Sequence, residues 1–404
     1  MMRVLLINGV CGIRSTGRIC TDIAEKLAAD GHEVKIAYGR EAVPEKYKKY
    51  AVNIETSFGV KVHGLKARLF DSAGFGSKNS TLKFIEWIKD YNPDVIHLHN
   101  LHGYYINIEI LFNFLRTFNK KIIWTLHDCW AFSGHSALCD AVDCTKWKTG
   151  CHNCPQLKEY PKSFIDKSKN NWEKKRTLLA GIKNLSIVTP SNWLASFVKE
   201  SFLGKYPIEV IPNGIDTNQF YPTNNNFKAL HKIEDKYMIL GVASTWNTLK
   251  GYFDFLELSK KLDKECCLVM VGLSKKQLKE LPANIIGIER TNSVKELAEI
   301  YSSADIFLNL TYCDNYPTVH LEAVCCGTPV ISYATGGCNE SMLGFGDTVK
   351  KGDLDKVIEK INEYRFGQTP IPNFSKSLAD NNTAISRYVK LYSAQNKPDL
   401  IHRS

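Results

Sequence analysis

The sequence predicts an α/β protein made of two doubly wound parallel-sheet domains. Three observations carry this. Short apolar runs alternate with stretches of helical spacing, and they do so in two separate series. A turn-rich segment with three consecutive Asn divides the series. The chain has 404 residues, 44% hydrophobic and 23% charged, enough apolar side chain for two sizeable cores and too much for a disordered chain.

In the first series, Val4 to Ile7 is a short apolar run of the kind found in buried parallel strands. A glycine-containing loop, Gly9 to Arg18, follows. Ile19, Ile23 and Leu27 then recur at helical spacing up to Gly31, a C-terminal stop. Further strands are expected at Val34 to Ala37, Val95 to Leu98, Ile122 to Leu126, Leu185 to Val188 and Val210-Ile211. Residues 213–236 read as a linker, with Pro212-Asn213-Gly214 as turn chemistry before them. The second series gives strands at Tyr237 to Val242, Cys267 to Val271, Ile306 to Leu310 and Pro329 to Tyr333. Helices are expected at Gly251 to Leu262, Ser293 to Ser302, Thr318 to Cys326 and 376–396.

The formal charge is +10, and it is unevenly placed. Residues 1–215 hold 30 basic and 20 acidic side chains, and residues 216–404 hold 22 of each. Basic clusters at Lys46 to Lys49, Lys61 to Arg68 and Lys162 to Arg176 would attract phosphate-bearing partners. No nucleic-acid-binding motif accompanies them, so nucleic acid is not an expected partner. No apolar run reaches the roughly 18 residues that span a bilayer. The opening apolar run is broken by Asn8-Gly9, too early for a signal peptide. The expected location is therefore the cytoplasm.

The strongest local signal runs from Asp314 through Glu322 to Val330, DNYPTVHLEAVCCGTPV. Asp314 falls in a loop after a strand, and Glu322, with seven residues between them, falls inside a helix. Pro317 suits that helix's first turn. The free N–H groups there can bind phosphate, and Glu322 can accept two ribose hydroxyls. On spacing alone, an amphipathic helix with an exposed Glu is the simpler reading. The whole string, however, resembles the E-x7-E signature of family 4 retaining glycosyltransferases, which have the GT-B architecture of two Rossmann-like domains around a central cleft. It is particularly similar to the bacterial branch that builds capsular, exopolysaccharide and colanic-acid-like chains. The first acidic position is Asp here rather than the commoner Glu. STGRI from Ser15, IHLHNLHGYYIN from Ile96, TLHDCWAFSGH from Thr125, KWKTGCHNCP from Lys146, VTPSNWLA from Val188 and IPNGIDTNQF from Ile211 extend the resemblance over nearly the whole chain.

The resemblance implies a division of labour. Residues 1–212 form the acceptor-side domain, with a Cys-rich insertion at 129–160. Residues 237–375 form the nucleotide-sugar domain, and 376–404 is a C-terminal helix crossing back to the first. Glu322 would contact the nucleotide ribose and Asp314 the hydroxyls of the transferred sugar. Backbone N–H groups of Asn315, Tyr316, Pro317's neighbour Thr318, and Val319 would cradle the donor. Lys250 would pair with the diphosphate, whose growing negative charge needs fixed cations and N–H dipoles. That arrangement makes a catalytic metal dispensable. Ser15, Thr16, Gly17 and Arg18 would face the donor phosphates, and relatives often carry Gly where Arg14 stands. His127 would touch the transferred sugar, with Asp128 as its orienting partner or a helix cap. His97, His99 and His102 read as structural. The Arg that usually precedes the lysine is absent, with Thr245 and Leu249 in its place, so Arg18 or Arg290 would have to substitute. The implied reaction retains anomeric configuration by front-face attack, and Asp314 and Glu322 position rather than exchange protons. Domain closure would exclude water. The implied acceptor is a growing oligosaccharide on a lipid diphosphate, at the inner face of the membrane.

Cys129, Cys139, Cys144, Cys151 and Cys154 crowd into 26 residues, and Cys151-His152-Asn153-Cys154 is a C-x2-C knuckle. In a cytosolic protein this pattern points to zinc more than to disulfides. A closed structural site takes four ligands. Cys144, Cys151 and Cys154 are three, with Cys139 as the fourth and His135 or Cys129 as substitutes. The remaining eight Cys read as small core hydrophobes. Two other functions fit parts of the sequence: a sugar-nucleotide 2-epimerase of the same architecture, and a non-catalytic zinc-containing binding protein.

Overall fold

The computed structural model describes residues 1–370 and 374–394. The chain divides into two compact units, Met1–Ile211 with the chain from Ile385, and Pro212–Ala384.

The first unit carries a seven-stranded sheet: β1 (Arg3–Ile7), β2 (Glu33–Tyr38), β3 (Ala51–Asn53), β4 (Val95–Leu98), β5 (Lys121–Thr125), β6 (Leu185–Thr189) and β7 (Ile208–Val210). Their order is β3-β2-β1-β4-β5-β6-β7, and every pairing is parallel. Helices α1 (Arg14–Ala29), α2 (Ser57–Phe70), α3 (Lys78–Tyr91), α4 (Ile108–Leu115), α5 (Ser168–Leu178) and α6 (Asn192–Glu200) connect them. Val4, Leu5, Leu6 and Ile7 are all buried, as a strand with both faces covered requires. The strand order reverses between β1 and β4, and ligands of such sheets bind beyond the strand ends at that point.

The second unit carries β8 (Tyr237–Val242), β9 (Cys266–Val271), β10 (Ile285–Ile288), β11 (Ile306–Asn309), β12 (Val330–Tyr333) and β13 (Gly346–Val349). The order is β10-β9-β8-β11-β12-β13, again all parallel, with its reversal between β8 and β11. Its helices are α7 (Phe227–Leu230), α8 (Tyr252–Lys261), α9 (Lys275–Glu280), α10 (Val294–Ser303), α11 (Thr318–Cys325), α12 (Cys338–Ser341) and α13 (Leu354–Arg365).

A last helix, α14 (Asn381–Ser393), starts in the second unit and belongs to the first from Ile385 on. Tyr392 and Tyr388 are buried there against β4 and β5 residues. The Tyr392 hydroxyl stands 2.7 Å from His97 Nδ1, and Thr125 Oγ1 donates to the Tyr388 hydroxyl at 3.3 Å. Of the expected segment 376–404, residues 395–404 lie outside the described residues.

Two expectations need correction. The first helix begins at Arg14, not Ile19, so Ser15, Thr16, Gly17 and Arg18 occupy its first turns rather than a loop. Gly17 is buried because a Cβ there would stand 3.0 Å from Val10 and 3.3 Å from the Gly12 nitrogen. The expected linker 213–236 is structured. Ile215, Phe220 and Ile233 are buried in the second unit's core, and Ile215 pairs with Asp380.

Arg14 sits at φ +57°, a left-handed conformation that costs a side-chain-bearing residue about 1 kcal/mol or more. Its ion pair with Glu41, at 2.7 Å, is exposed and offsets little of this. Arg14→Gly is therefore expected to raise stability, by about 0.5–1 kcal/mol. Denaturant titration of the two proteins checks it, and a lower midpoint for the glycine variant refutes it.

Candidate active site

In the second unit the loops leaving β8 and β11 carry the predicted donor residues. Lys250 ends a short 3-10 turn, Thr248–Lys250, capped by Asn247, whose side chain accepts the Lys250 N–H. Asp314 lies in the loop after β11. The two loops are stitched together by the Leu249 carbonyl, which accepts from the Tyr312 N–H at 2.8 Å and the Thr311 hydroxyl at 3.1 Å. Gly251 permits this approach, because a Cβ there would lie 2.3 Å from the Leu310 carbonyl oxygen. Gly336, at φ +54°, does the same over Asp314, whose carbonyl would be 1.7 Å from a Cβ. The Gly337 N–H also donates to that carbonyl.

This stitching brings Lys250 Nζ to 2.6 Å from Asp314 Oδ2, with both side chains partly exposed. Burial works against the ammonium, but the Asp314 carboxylate more than offsets it and holds Lys250 above the ordinary lysine value. Lys250 is thus a permanent cation at the point where the strand order reverses.

Pro317 is the N-cap of α11, one residue before the first turn where it was expected, and its carbonyl accepts from His320 N–H. Asn315 and Tyr316 lead into the helix. Tyr316 is buried, and its carbonyl accepts from the Asn213 side chain at 3.3 Å. Thr318 and Val319 begin the helix, so their N–H groups belong to its unpaired first turn. Glu322 is buried one turn further on, and the Tyr301 hydroxyl donates to its carboxylate at 3.0 Å. An exposed Glu on an amphipathic helix is therefore not what this position is.

Two residues that the sequence did not single out fix α11. His320 is fully buried, with Nε2 2.7 Å from Asn309 Nδ2 and Nδ1 2.8 Å from Ser341 Oγ. The amide donates to Nε2, so Nδ1 carries the proton and the ring is neutral. Burial pushes its pKa down to about 4. Tyr301 is the other, and as an aromatic on α10 it reads from sequence only as core.

Arg290, a candidate for the missing cation, is exposed after edge strand β10, which is two strands from β8.

In the first unit, His127 follows β5 and stacks on His99, with Nε2 3.1 Å from His99 Nδ1. Burial pushes the His127 pKa down to about 4. The carboxylate of its neighbour Asp128 takes His102 Nε2 at 2.7 Å and caps the Trp130 N–H. His97 and His99 are buried, as expected of structural residues, and His97 joins Thr125 to Tyr392. Thr16 approaches the Asn8 side chain, which also donates to the Val10 carbonyl and accepts from the Asn100 N–H. Arg18 and Ser15 are exposed on α1.

The Cys-rich insertion contains only two 3-10 turns, Cys139–Val142 and Lys146–Lys148. Cys139, Cys144, Cys151 and Cys154 line one cavity, whereas Cys129 is buried apart from it. Among the described residues no three His, Cys, Asp or Glu side chains stand grouped so as to hold a metal ion as they are.

Two all-parallel doubly wound sheets, one in each unit, define a fold of the GT-B class. The same architecture is found in HepE of Anabaena in complex with UDP and glucose, with a TM-score of 0.67 at 13% identity over 98% of this chain and 100% of that one. Sucrose-phosphate synthase of Thermosynechococcus elongatus superposes with a TM-score of 0.65 at 16% identity, over 97% and 95%. Residues 16–219 match the sequence model for Glycosyltransferase Family 4, and residues 223–364 that for Glycosyl transferases group 1. The chain belongs to glycosyltransferase family 4, and it is a glycosyltransferase. Among curated relatives, WcaC of Escherichia coli (strain K12), assigned as a colanic acid biosynthesis glycosyl transferase, is 26% identical over 80% of this chain and 82% of its own. The N,N'-diacetylbacillosaminyl-diphospho-undecaprenol alpha-1,3-N-acetylgalactosaminyltransferase of Campylobacter jejuni is 26% identical over 49% and 57%.

His320 has a folded-state pKa of about 4, below its ordinary value of 6.5. The unfolded chain therefore takes up this proton first, and stability contributed by neutral His320 is lost as pH falls from 6.5 towards 4. The expected slope from this one group is about 1.4 kcal/mol per pH unit. His320→Asn should be less stable at pH 7.5 yet show a flatter decline below pH 6.5, as followed by thermal melts. An unchanged slope refutes the assignment.

Proposed function

We propose that this protein is a retaining hexosyltransferase. It moves a hexose from a nucleotide diphosphate sugar to a growing, lipid-diphosphate-linked precursor of a surface polysaccharide. The observation that carries the reading is the Lys250–Asp314 pair beside the first turn of α11. A diphosphate leaving group gains negative charge as the C1–O bond breaks. Lys250 and the N–H groups of Thr318 and Val319 would meet that charge without reorganising. Asp314 would accept hydroxyls of the hexose, and Glu322, held by Tyr301, would accept those of the ribose. The acceptor oxygen attacks from the side the phosphate leaves, and its proton passes to the departing phosphate oxygen. No protein nucleophile and no added divalent cation are needed. His127, neutral at physiological pH, would act as a hydrogen-bonding contact to the sugar rather than as an acid.

The acceptor's class is supported by a surface of the first unit. Along α2, Phe58, Leu65 and Leu69 are exposed on the same face as Lys61 and Lys66. Phe70, Phe164 and Ile165 extend it, with the Phe164 N–H donating to the Arg68 carbonyl at the end of the helix. Large apolar side chains interleaved with lysines suit an anionic lipid surface. No helix among the described residues is long and apolar enough to cross a membrane.

Thermal-shift binding with a panel of nucleotide sugars, using wild type and Glu322→Ala, tests the donor site. Selective stabilisation by one donor, lost in the variant, is expected; stabilisation kept in the variant overturns the placement. With that donor and an acceptor, Lys250→Ala should lower kcat/KM by about 10²–10³-fold, and the product's anomeric signal should match the donor's. An inverted product refutes the mechanism. In flotation assays the protein should rise with anionic but not neutral vesicles, and Phe58→Ser/Leu65→Ser should abolish this. Equal flotation of the double variant refutes the lipid face.

A further inference from the structure

The first unit holds a polar constellation that the transfer reaction does not use. Cys139, Cys144, Cys151, Cys154 and His135 line one cavity of about 20 Å³, room for a single ion-sized sphere. His135 is 2% exposed, and its Nε2 is buried with no hydrogen-bond partner. A buried nitrogen left so costs about 1–3 kcal/mol, and nothing in the surrounding fold explains the cost. Its other nitrogen is committed. Nδ1 lies 2.6 Å from Asp71 Oδ1, and Asp71 Oδ2 takes the Lys167 N–H at 2.9 Å. The carboxylate therefore takes the Nδ1 proton, and Nε2 presents a lone pair to the cavity. A carboxylate behind one nitrogen and an open lone pair on the other is how metal-ligating histidines are oriented.

The thiols are tied in by backbone contacts. The Gly134 N–H donates to Cys151 Sγ at 3.2 Å, and the Cys154 N–H donates to Asp166 Oδ2 at 2.6 Å. Lys146 Nζ donates to the His152 and Asn153 carbonyls, both at 3.1 Å, and so closes the knuckle between the two cysteines. Cys139 differs, since its thiol is directed at the Ser136 carbonyl at 3.9 Å.

We propose that His135 Nε2 and the thiolates of Cys144, Cys151 and Cys154 bind one structural zinc ion, with Asp71 as the residue that orients His135. Binding turns the thiols inward and releases their protons. The site would tie the insertion to the end of α2, since Asp71 caps that helix. It is independent of the glycosyl-transfer reading, and its test does not measure activity.

The full chain, purified under reducing conditions without chelator, should carry about one zinc per molecule by elemental analysis. X-ray absorption should give three sulfur neighbours and one nitrogen. Cobalt(II) reconstitution should give a tetrahedral thiolate spectrum. Cys139→Ser should keep the metal and His135→Gln should lose it. Asp71→Asn, which leaves every ligand in place, should weaken affinity about 10–100-fold in a competition with a chromophoric chelator. Because variants of the knuckle can fail to fold, the wild-type spectra carry the decision. Four sulfurs with no nitrogen, a Cys151–Cys154 disulfide, or metal-free protein that gives no cobalt–thiolate spectrum would each overturn the proposal.

Discussion

One backbone carbonyl organises the chemistry of the second unit. Leu249 accepts two hydrogen bonds from consecutive residues of the loop after β11, and so fixes the loop after β8 against it. The Lys250–Asp314 contact follows from that arrangement rather than causing it. A partly exposed ion pair contributes about 0–1 kcal/mol, too little to hold two loops against their own entropy. The glycines show where the constraint bites. Gly251 and Gly336 sit in left-handed conformations with carbonyl oxygens where a Cβ would be. The loops are therefore held without relying on the pair, whose side chains are free to change partners.

The first unit solves a different problem. Its strand ends beyond β4 and β5 are lined by histidines rather than aliphatics. His97, His99 and His127 are held in one chain of ring contacts, with Tyr388 and Tyr392 closing it from α14. Burial keeps His97 and His127 well below their usual pKa, at about 3 and about 4, so the rings are neutral. Both His97 nitrogens are taken, by Tyr392 and Thr125, so this ring ties α14 to the sheet without adding charge. The cations lie elsewhere: Lys250 in the second unit, and lysines on the outer face of α2.

Central strands were legible because each is mostly apolar, and β4 and β8 were found at their observed bounds. The strands that escaped, β3, β10 and β13, are all sheet edges. An edge strand has fewer neighbours to satisfy, so Ala51–Asn53 and Gly346–Val349 carry no apolar signature. Residues 213–236 read as a linker because polar Asn dominates locally, while three widely spaced side chains, Ile215, Phe220 and Ile233, do the anchoring. At the site, Asp314, Glu322 and Lys250 were visible through a family string. Their supports were not. Tyr301 lies 21 residues from Glu322 and Asp71 lies 64 from His135, and no local pattern encodes such contacts.

The Cys-rich insertion poses the remaining physical question, which is what orders residues 129–160, which form neither sheet nor α-helix. Apolar burial is part of the answer, through Trp130, Phe132 and Trp147. The rest is polar and expensive. Lys175 is 1% exposed, its ammonium donates to the Trp130 and Ser133 carbonyls, and burial pushes its pKa down to about 7. Asp71 and Asp166 are spent on the backbone N–H groups of Lys167, Cys154 and Ser168. A long irregular segment held by so few cross-links loses much of its order when any one of them is removed. The ion proposed above would add cross-links to these, and would help keep the segment that follows His127 and Asp128 in register with the strand that places them.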